Sequence, residues 1–394
     1  MHVRGWIKDV MYGLIIFGIC AAVILVVSVA ADNIVAKHNA VIVSKNVNSN
    51  LDCDDSICTS VDNVSGSEND ENVNLACDGR DQDNNNIKDK KIVCWGDSIT
   101  YGLGGQENTY IKSEAGIIDA SNWNYPDTLR YYTGMDVYNL GVCGETSYDI
   151  ALRQGGIKMY VGKQVTVKPG KRTQISIVDE SGNPVILENF NGYETDNQQP
   201  ENVVYINDIP FKLEYDNSRI YISIYDNAVN NSIKLKKGSQ IITKAAHDIS
   251  GDVLVIQMGS NGGWDDYDEL IEQYKAMIAN SGTECYIIIG DTDNPEESVD
   301  SANYTSGQKI GTDDSMWEAA LREAFGEHFI NMRTYLLENA LNIAGLEPTQ
   351  MDEEDLSQGR VPETIKYDYT HLNSYGYYAI GYGVYEKGLE LGYW

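Results

Sequence analysis

Five short apolar runs alternate with amphipathic segments, and this alternation narrows the fold more than any other feature of the chain. The runs are KIVCWG from Lys91, VYNLG (Val137–Gly141), VLVIQMG (Val253–Gly259), CYIIIG (Cys285–Gly290) and HFINM (His328–Met332). Between them lie WNYPDTLRYYTG, in which Pro126 suits a first helical turn, and three segments that each end at Gly: DELIEQYKAMIANSG, SMWEAALREAFG and RTYLLENALNIAG. Continuous apolar strands need cover on both faces, and helices between them supply it, so the pattern predicts an open parallel α/β sheet. In such sheets the ligand lies beyond the carboxyl ends of the strands.

One interval breaks the pattern. From about residue 158 to 244 the hydrophobic period drops to two, in QVTVKPGKRTQISIVDESGNPVIL and VVYINDIPFKLEYDNSRIYISIYD, with turn signals PG, SGNP and DNS between the runs. The prediction is a β-module, 158–244, inserted into an α/β domain made of 91–157 and 245–394. Ahead of that domain, Arg4 and Lys8 precede the apolar stretch Met11–Ala30, and a helix of about twenty residues spans a bilayer. Residues 1–31 are expected to be a transmembrane anchor with Met1 cytoplasmic, or a cleaved signal peptide ending at Ser28–Ala31. Either reading puts the rest of the chain outside the cytoplasm, single-pass at the cell membrane or secreted. Residues 32–90, rich in Asn, Asp and Ser, are expected to be a polar disordered tether.

Charge excludes some partners. With 29 Lys+Arg against 59 Asp+Glu the formal net charge is -30, which repels polyphosphates and argues against nucleic acid. Export would permit a disulfide among Cys53, Cys58 and Cys77, whereas Cys94, Cys143 and Cys285 sit in or beside apolar runs and are expected to be small buried hydrophobes.

Four short blocks carry chemistry. The first strand runs into Gly96-Asp97-Ser98-Ile99-Thr100, which exposes a hydroxyl at a strand end or, equally, uses Ser98 to cap a helix. Near the other end, Asp368-Tyr369-Thr370-His371 places a carboxylate where it can orient an imidazole, although a surface turn accounts for the same letters. Histidine is suited to taking a proton from a serine hydroxyl because its unperturbed pKa is about 6.5. Gly141-Val142-Cys143-Gly144-Glu145-Thr146 follows the second strand and Gly259-Ser260-Asn261 the third; both are turn sequences that also supply N–H donors for an oxyanion.

In this order, GDSIT, NLGVCGETS, GSN and DYTH resemble the four blocks of the SGNH/GDSL hydrolases. Gly262 stands where the third block often has Asp. The resemblance implies a flavodoxin-like three-layer α/β/α fold with a five-stranded parallel sheet. It implies catalytic Ser98, Asp368 and His371, with an oxyanion hole of Ser98 N–H, Gly144 N–H and the Asn261 amide. It also implies an ester hydrolase that needs no metal or cofactor. The expected substrate is an acylated glycan, with removal of a small acyl group such as acetyl. A lipase or acyltransferase acting on lipid esters and a non-catalytic glycan-binding surface protein are the alternatives. Oligomeric state is not legible.

Overall fold

Along the first strand Ile92, Val93, Cys94 and Trp95 point alternately to opposite faces, and all four are buried. The computed structural model describes residues 89–113, 116–185, 202–216, 219–226, 228–299 and 315–394. In it β1 (Lys91–Gly96) is joined by β2 (Asp136–Gly141), β3 (Val253–Gln257), β4 (Tyr286–Ile289) and β5 (Phe329–Ile330). All neighbouring pairs are parallel, in the order β2-β1-β3-β4-β5. The direction of winding therefore reverses between β1 and β3, which makes their carboxyl ends the natural crevice of the sheet.

Helices cover both faces. The short α1 (Ser98–Tyr101) follows β1; then come α2 (Tyr125–Thr133), α3 (Ser147–Gln154), α4 (Tyr267–Ser281), α5 (Met316–Phe325), α6 (Met332–Ile343) and, last, α7 (Ser374–Glu390). Ile92 and Cys94 share one buried cluster with Leu129 of α2, Leu336 of α6 and Ile380 of α7. Val93 and Trp95 share the other with Ile150 of α3, Tyr274 of α4 and Leu321 of α5. The layers are thus α/β/α. Asn124 caps α2 in a reciprocal capping box with Asp127, leaving Pro126 in the first turn as expected. Two departures from the sequence reading are local. β5 is only Phe329–Ile330, because Asn331 turns to cap α6 by accepting from Thr334 N–H. That helix closes at Ala344, one residue early, and Gly345 takes the left-handed position with φ +65°.

Among the described residues the strands between Met159 and Thr243 are antiparallel. Seven form one sheet in the order Thr173–Ile175, Arg219–Ile224, Ile209–Asp216, Val203–Ile206, Gln240–Thr243, Met159–Val161 and Ile177–Val178. Val165–Val167 pairs with Ile233–Leu235 beside it. Phe211, Val204, Ile222 and Leu235 fill a separate core. Where this segment rejoins the α/β part, the Thr243 hydroxyl donates to the Arg153 carbonyl of α3 at 2.6 Å. An antiparallel hairpin, Tyr110–Ser113 with Gly116–Asp119, was not anticipated.

Two cysteine expectations are corrected. Cys143 is exposed, because it lies in the open turn after β2 rather than in the strand, and Cys285 is half-buried and disulfide-bonded. Cys94 is a buried thiol, and burial pushes it up to about 12. The expected membrane helix, the tether and Cys53, Cys58 and Cys77 lie outside the described residues. Among the described residues no helix is long and apolar enough to cross a membrane.

Candidate active site

β1 ends by delivering Gly96-Asp97-Ser98 to the crevice. Asp97, not Ser98, caps α1: its Oδ1 accepts from Ile99 N–H at 2.9 Å. Ser98 is the first helical residue, so its hydroxyl is released from capping duty. Gly96 and Gly141 are needed here for close approach, since a Cβ on Gly141 would sit 2.1 Å from Tyr101 N. Ser98 is 7% exposed.

The partner of this hydroxyl comes from far along the chain. His371 Nε2 lies 2.9 Å from Ser98 Oγ. Its Nδ1 lies 2.9 and 3.0 Å from Asp368 Oδ2 and Oδ1. The turn that makes this possible is built by the same carboxylate. Asp368 Oδ1 accepts the Thr370 and His371 N–H groups at 2.9 and 2.7 Å, while His371 C=O accepts from Tyr367 N–H at 2.8 Å. Asn373 then caps α7. Burial works against ionisation of Asp368, but the backbone and ring bonds from His371 and the Thr370 N–H outweigh it, holding the carboxyl below its usual range.

Two loops flank this pair. After β2, Gly144 has φ +79° and is exposed. After β3, the Asn261 amide donates to the Glu145 carbonyl at 3.0 Å and more distantly to Asp97 Oδ2 at 3.4 Å. The Asn261 side chain therefore lies between the residue before Ser98 and the residue after Gly144. Gly262 adopts φ +75°, a region an Asp would enter under strain, and its carbonyl accepts both the N–H and the hydroxyl of Ser147. Its left-handed conformation suits a glycine, and its carbonyl laces the two loops together.

Sequence reasoning overlooked three buried ionisable residues around these loops. Burial pushes Asp97 up to about 7 against the Ile99 N–H bond, and Asp291 nearby adds to it. Burial also pushes Glu145 up to about 7, opposed by Arg153, which pairs with it. Arg153 left a signal: it stands three residues after Ile150 on the buried face of α3, where an unpaired cation is not tolerated. Beyond β4, burial drives Asp291 and Asp293 upward as well; the Glu318 charge adds to it at Asp291, and the Asp291 charge adds to it at Asp293. Among the described residues no group of His, Cys, Asp or Glu is arranged to hold a metal.

The chain is similar in structure to several solved proteins. One is a protein described as a putative lipolytic protein of the G-D-S-L family from Desulfitobacterium hafniense DCB-2, with 12% identity, a TM-score of 0.35, and coverage of 76% of this chain and 99% of the other. Another is a carbohydrate esterase family 2 enzyme with a carbohydrate-binding domain from Corynascus thermopiles (Myceliophthora fergusii), with 13% identity, a TM-score of 0.33, and coverage of 77% and 67%. No family model and no curated protein matches. These likenesses are too distant to carry a role to any residue of this chain.

Proposed function

We propose that the chain is a serine ester hydrolase of the SGNH/GDSL type. The observation that carries this reading is the contact of Ser98 Oγ with His371 Nε2 at 2.9 Å, made across 273 residues of sequence and backed by Asp368 on Nδ1. In the reaction, Ser98 Oγ attacks the ester carbonyl and His371 Nε2 accepts its proton. The negative carboxylate of Asp368 stabilises the imidazolium that results. The Ser98 and Gly144 N–H groups and the Asn261 amide stabilise the oxyanion, with Asn261 exchanging the longer of its two contacts, that to Asp97, for the substrate oxygen. His371 then protonates the leaving alcohol, and water repeats the sequence to release the acid.

The substrate is proposed to be an acylated polysaccharide or cell-wall glycan, deacetylated outside the cytoplasm by an enzyme anchored or exported through its N-terminal apolar stretch. Two observations support a glycan. Tyr367 and Tyr369, on either side of Asp368 in the turn that carries His371, are 57% and 69% exposed and leave aromatic surface available to a sugar. The net charge of -30 disfavours strongly anionic polymers. Acetate release from acetylated xylan and from O-acetylated peptidoglycan, measured beside Ser98→Ala, tests the reading. Release by the wild-type chain alone, with the variant folded, is expected. Release by Ser98→Ala at the wild-type rate would remove Ser98 as nucleophile. Labelling of Ser98 by a fluorophosphonate with no acetate release would turn the substrate toward lipid esters.

A further inference from the structure

One charged pair is sealed beneath the loop that follows β2. Arg153, near the end of α3, and Glu145 have side chains 0% and 1% exposed. Arg153 Nη2 lies 2.7 Å from Glu145 Oε2, and its Nε donates to both carboxylate oxygens at 2.9 Å. The same Nη2 donates to the Leu140 carbonyl of β2 at 2.8 Å, and the guanidinium lies 4.9 Å over the Trp95 ring of β1. A buried ion pair is a poor source of stability, because removing two charges from water offsets much of their attraction and apolar replacements are often neutral. Its placement supplies a different reason for its presence. Glu145 directly follows Gly144, and its carbonyl is the acceptor that orients the Asn261 amide at 3.0 Å. Ser147, two residues on, fastens the same loop to the Gly262 carbonyl.

Resting on the esterase reading above, we propose that the Glu145–Arg153 pair is the positioning element of the oxyanion site. Arg153 anchors Glu145 to the strands that deliver Ser98 and Gly144. Glu145 in turn holds the Gly144 N–H and the Asn261 amide in register with the serine. Neither residue touches the substrate. The pair acts only on donors whose charge partner exists in the transition state, so its loss falls on kcat and not on KM.

Glu145→Gln alone leaves a buried cation without its partner and endangers the fold. The informative variants are therefore Glu145→Gln/Arg153→Met, which removes both charges, and Arg153→Lys, which keeps the charge but lacks the two-pronged guanidinium. In the full chain, urea midpoint, kcat and KM for para-nitrophenyl acetate, and the rate of fluorophosphonate labelling of Ser98 are measured together. The expected result is a folded double variant with kcat lowered at least about tenfold, KM within about twofold, and labelling slowed in parallel. Arg153→Lys is expected to fall between it and wild type. Wild-type kcat in either folded variant, or a loss carried by KM, overturns the proposal while leaving the esterase reading intact. A wild-type chain that neither labels nor hydrolyses overturns both.

Discussion

Replacing Asp368 by Asn measures how far His371 depends on a carboxylate. The shape of the side chain is kept, and one oxygen remains to accept the Thr370 and His371 N–H groups that form the turn. What is lost is the charge facing Nδ1 across 2.9 Å. Two unit charges about 4 Å apart interact by about 1 kcal/mol in bulk water and about 4 kcal/mol at an effective dielectric of 20. The Asp368 side chain is 36% exposed, so solvent screens part of this, and about 2–3 kcal/mol is left to stabilise the imidazolium. That corresponds to a fall of roughly 30- to 150-fold in kcat. If the new amide turns its NH2 toward Nδ1, the ring is forced into the tautomer whose Nε2 carries a proton, and Ser98 loses its base. In a Ser-His-Asp triad the combined loss reaches about 10⁴. Hydrolysis of para-nitrophenyl acetate by Asp368→Asn is therefore expected to drop by about 30-fold to 10⁴-fold in kcat, with KM within about twofold. A variant within about threefold of wild-type kcat would refute the reasoning, since neither the charge nor the tautomer would then matter.

Other expectations follow from the same geometry. Asn261→Ala should lower kcat by about 10²–10³ with little change in KM, read with the same ester; an unchanged kcat would remove Asn261 from the oxyanion site. Asp293→Asn addresses the buried carboxylates beyond β4. Burial and the Asp291 charge hold its folded pKa above its unfolded value, and its Oδ1 is buried without a hydrogen-bond partner. A raised carboxyl contributes stability that is full below the unfolded value, about pH 4, and is lost as pH rises through the folded value. The fall in urea-unfolding free energy from pH 5 to pH 8 should therefore be smaller in Asp293→Asn by on the order of 1–3 kcal/mol; an equal fall in both proteins would contradict the shift.

The parallel sheet was legible because strands covered on both faces must be apolar at every position, and Ile92 through Trp95 are. The meeting of Ser98 with His371 was legible only through the company of the four blocks, since each block alone is an ordinary turn. Other features escaped such reading because several residues in each turn can serve as the cap and period alone does not choose between them. Asp97 and Ser98 are both good caps, and the sequence does not say that Asp97 takes the position and frees Ser98; nor does it say that Asn331 ends β5 to start α6. The exposure of Cys143 was missed because the apolar run VYNLGVC continues past the last paired residue, Gly141. The order of the antiparallel strands between Met159 and Thr243 follows from pairings that period-two patterning does not encode.

The hydrogen bond between Thr243 and Arg153 closes a long excursion of the chain onto the helix from which it departs. The entropy lost in closing a flexible loop rises only logarithmically with its length, and a folded segment that brings its own ends together removes most of even that cost. To the parallel sheet, the whole passage from α3 to β3 is equivalent to a tight turn. The length of this excursion therefore adds little to the entropy of forming the register of β1, β2 and β3.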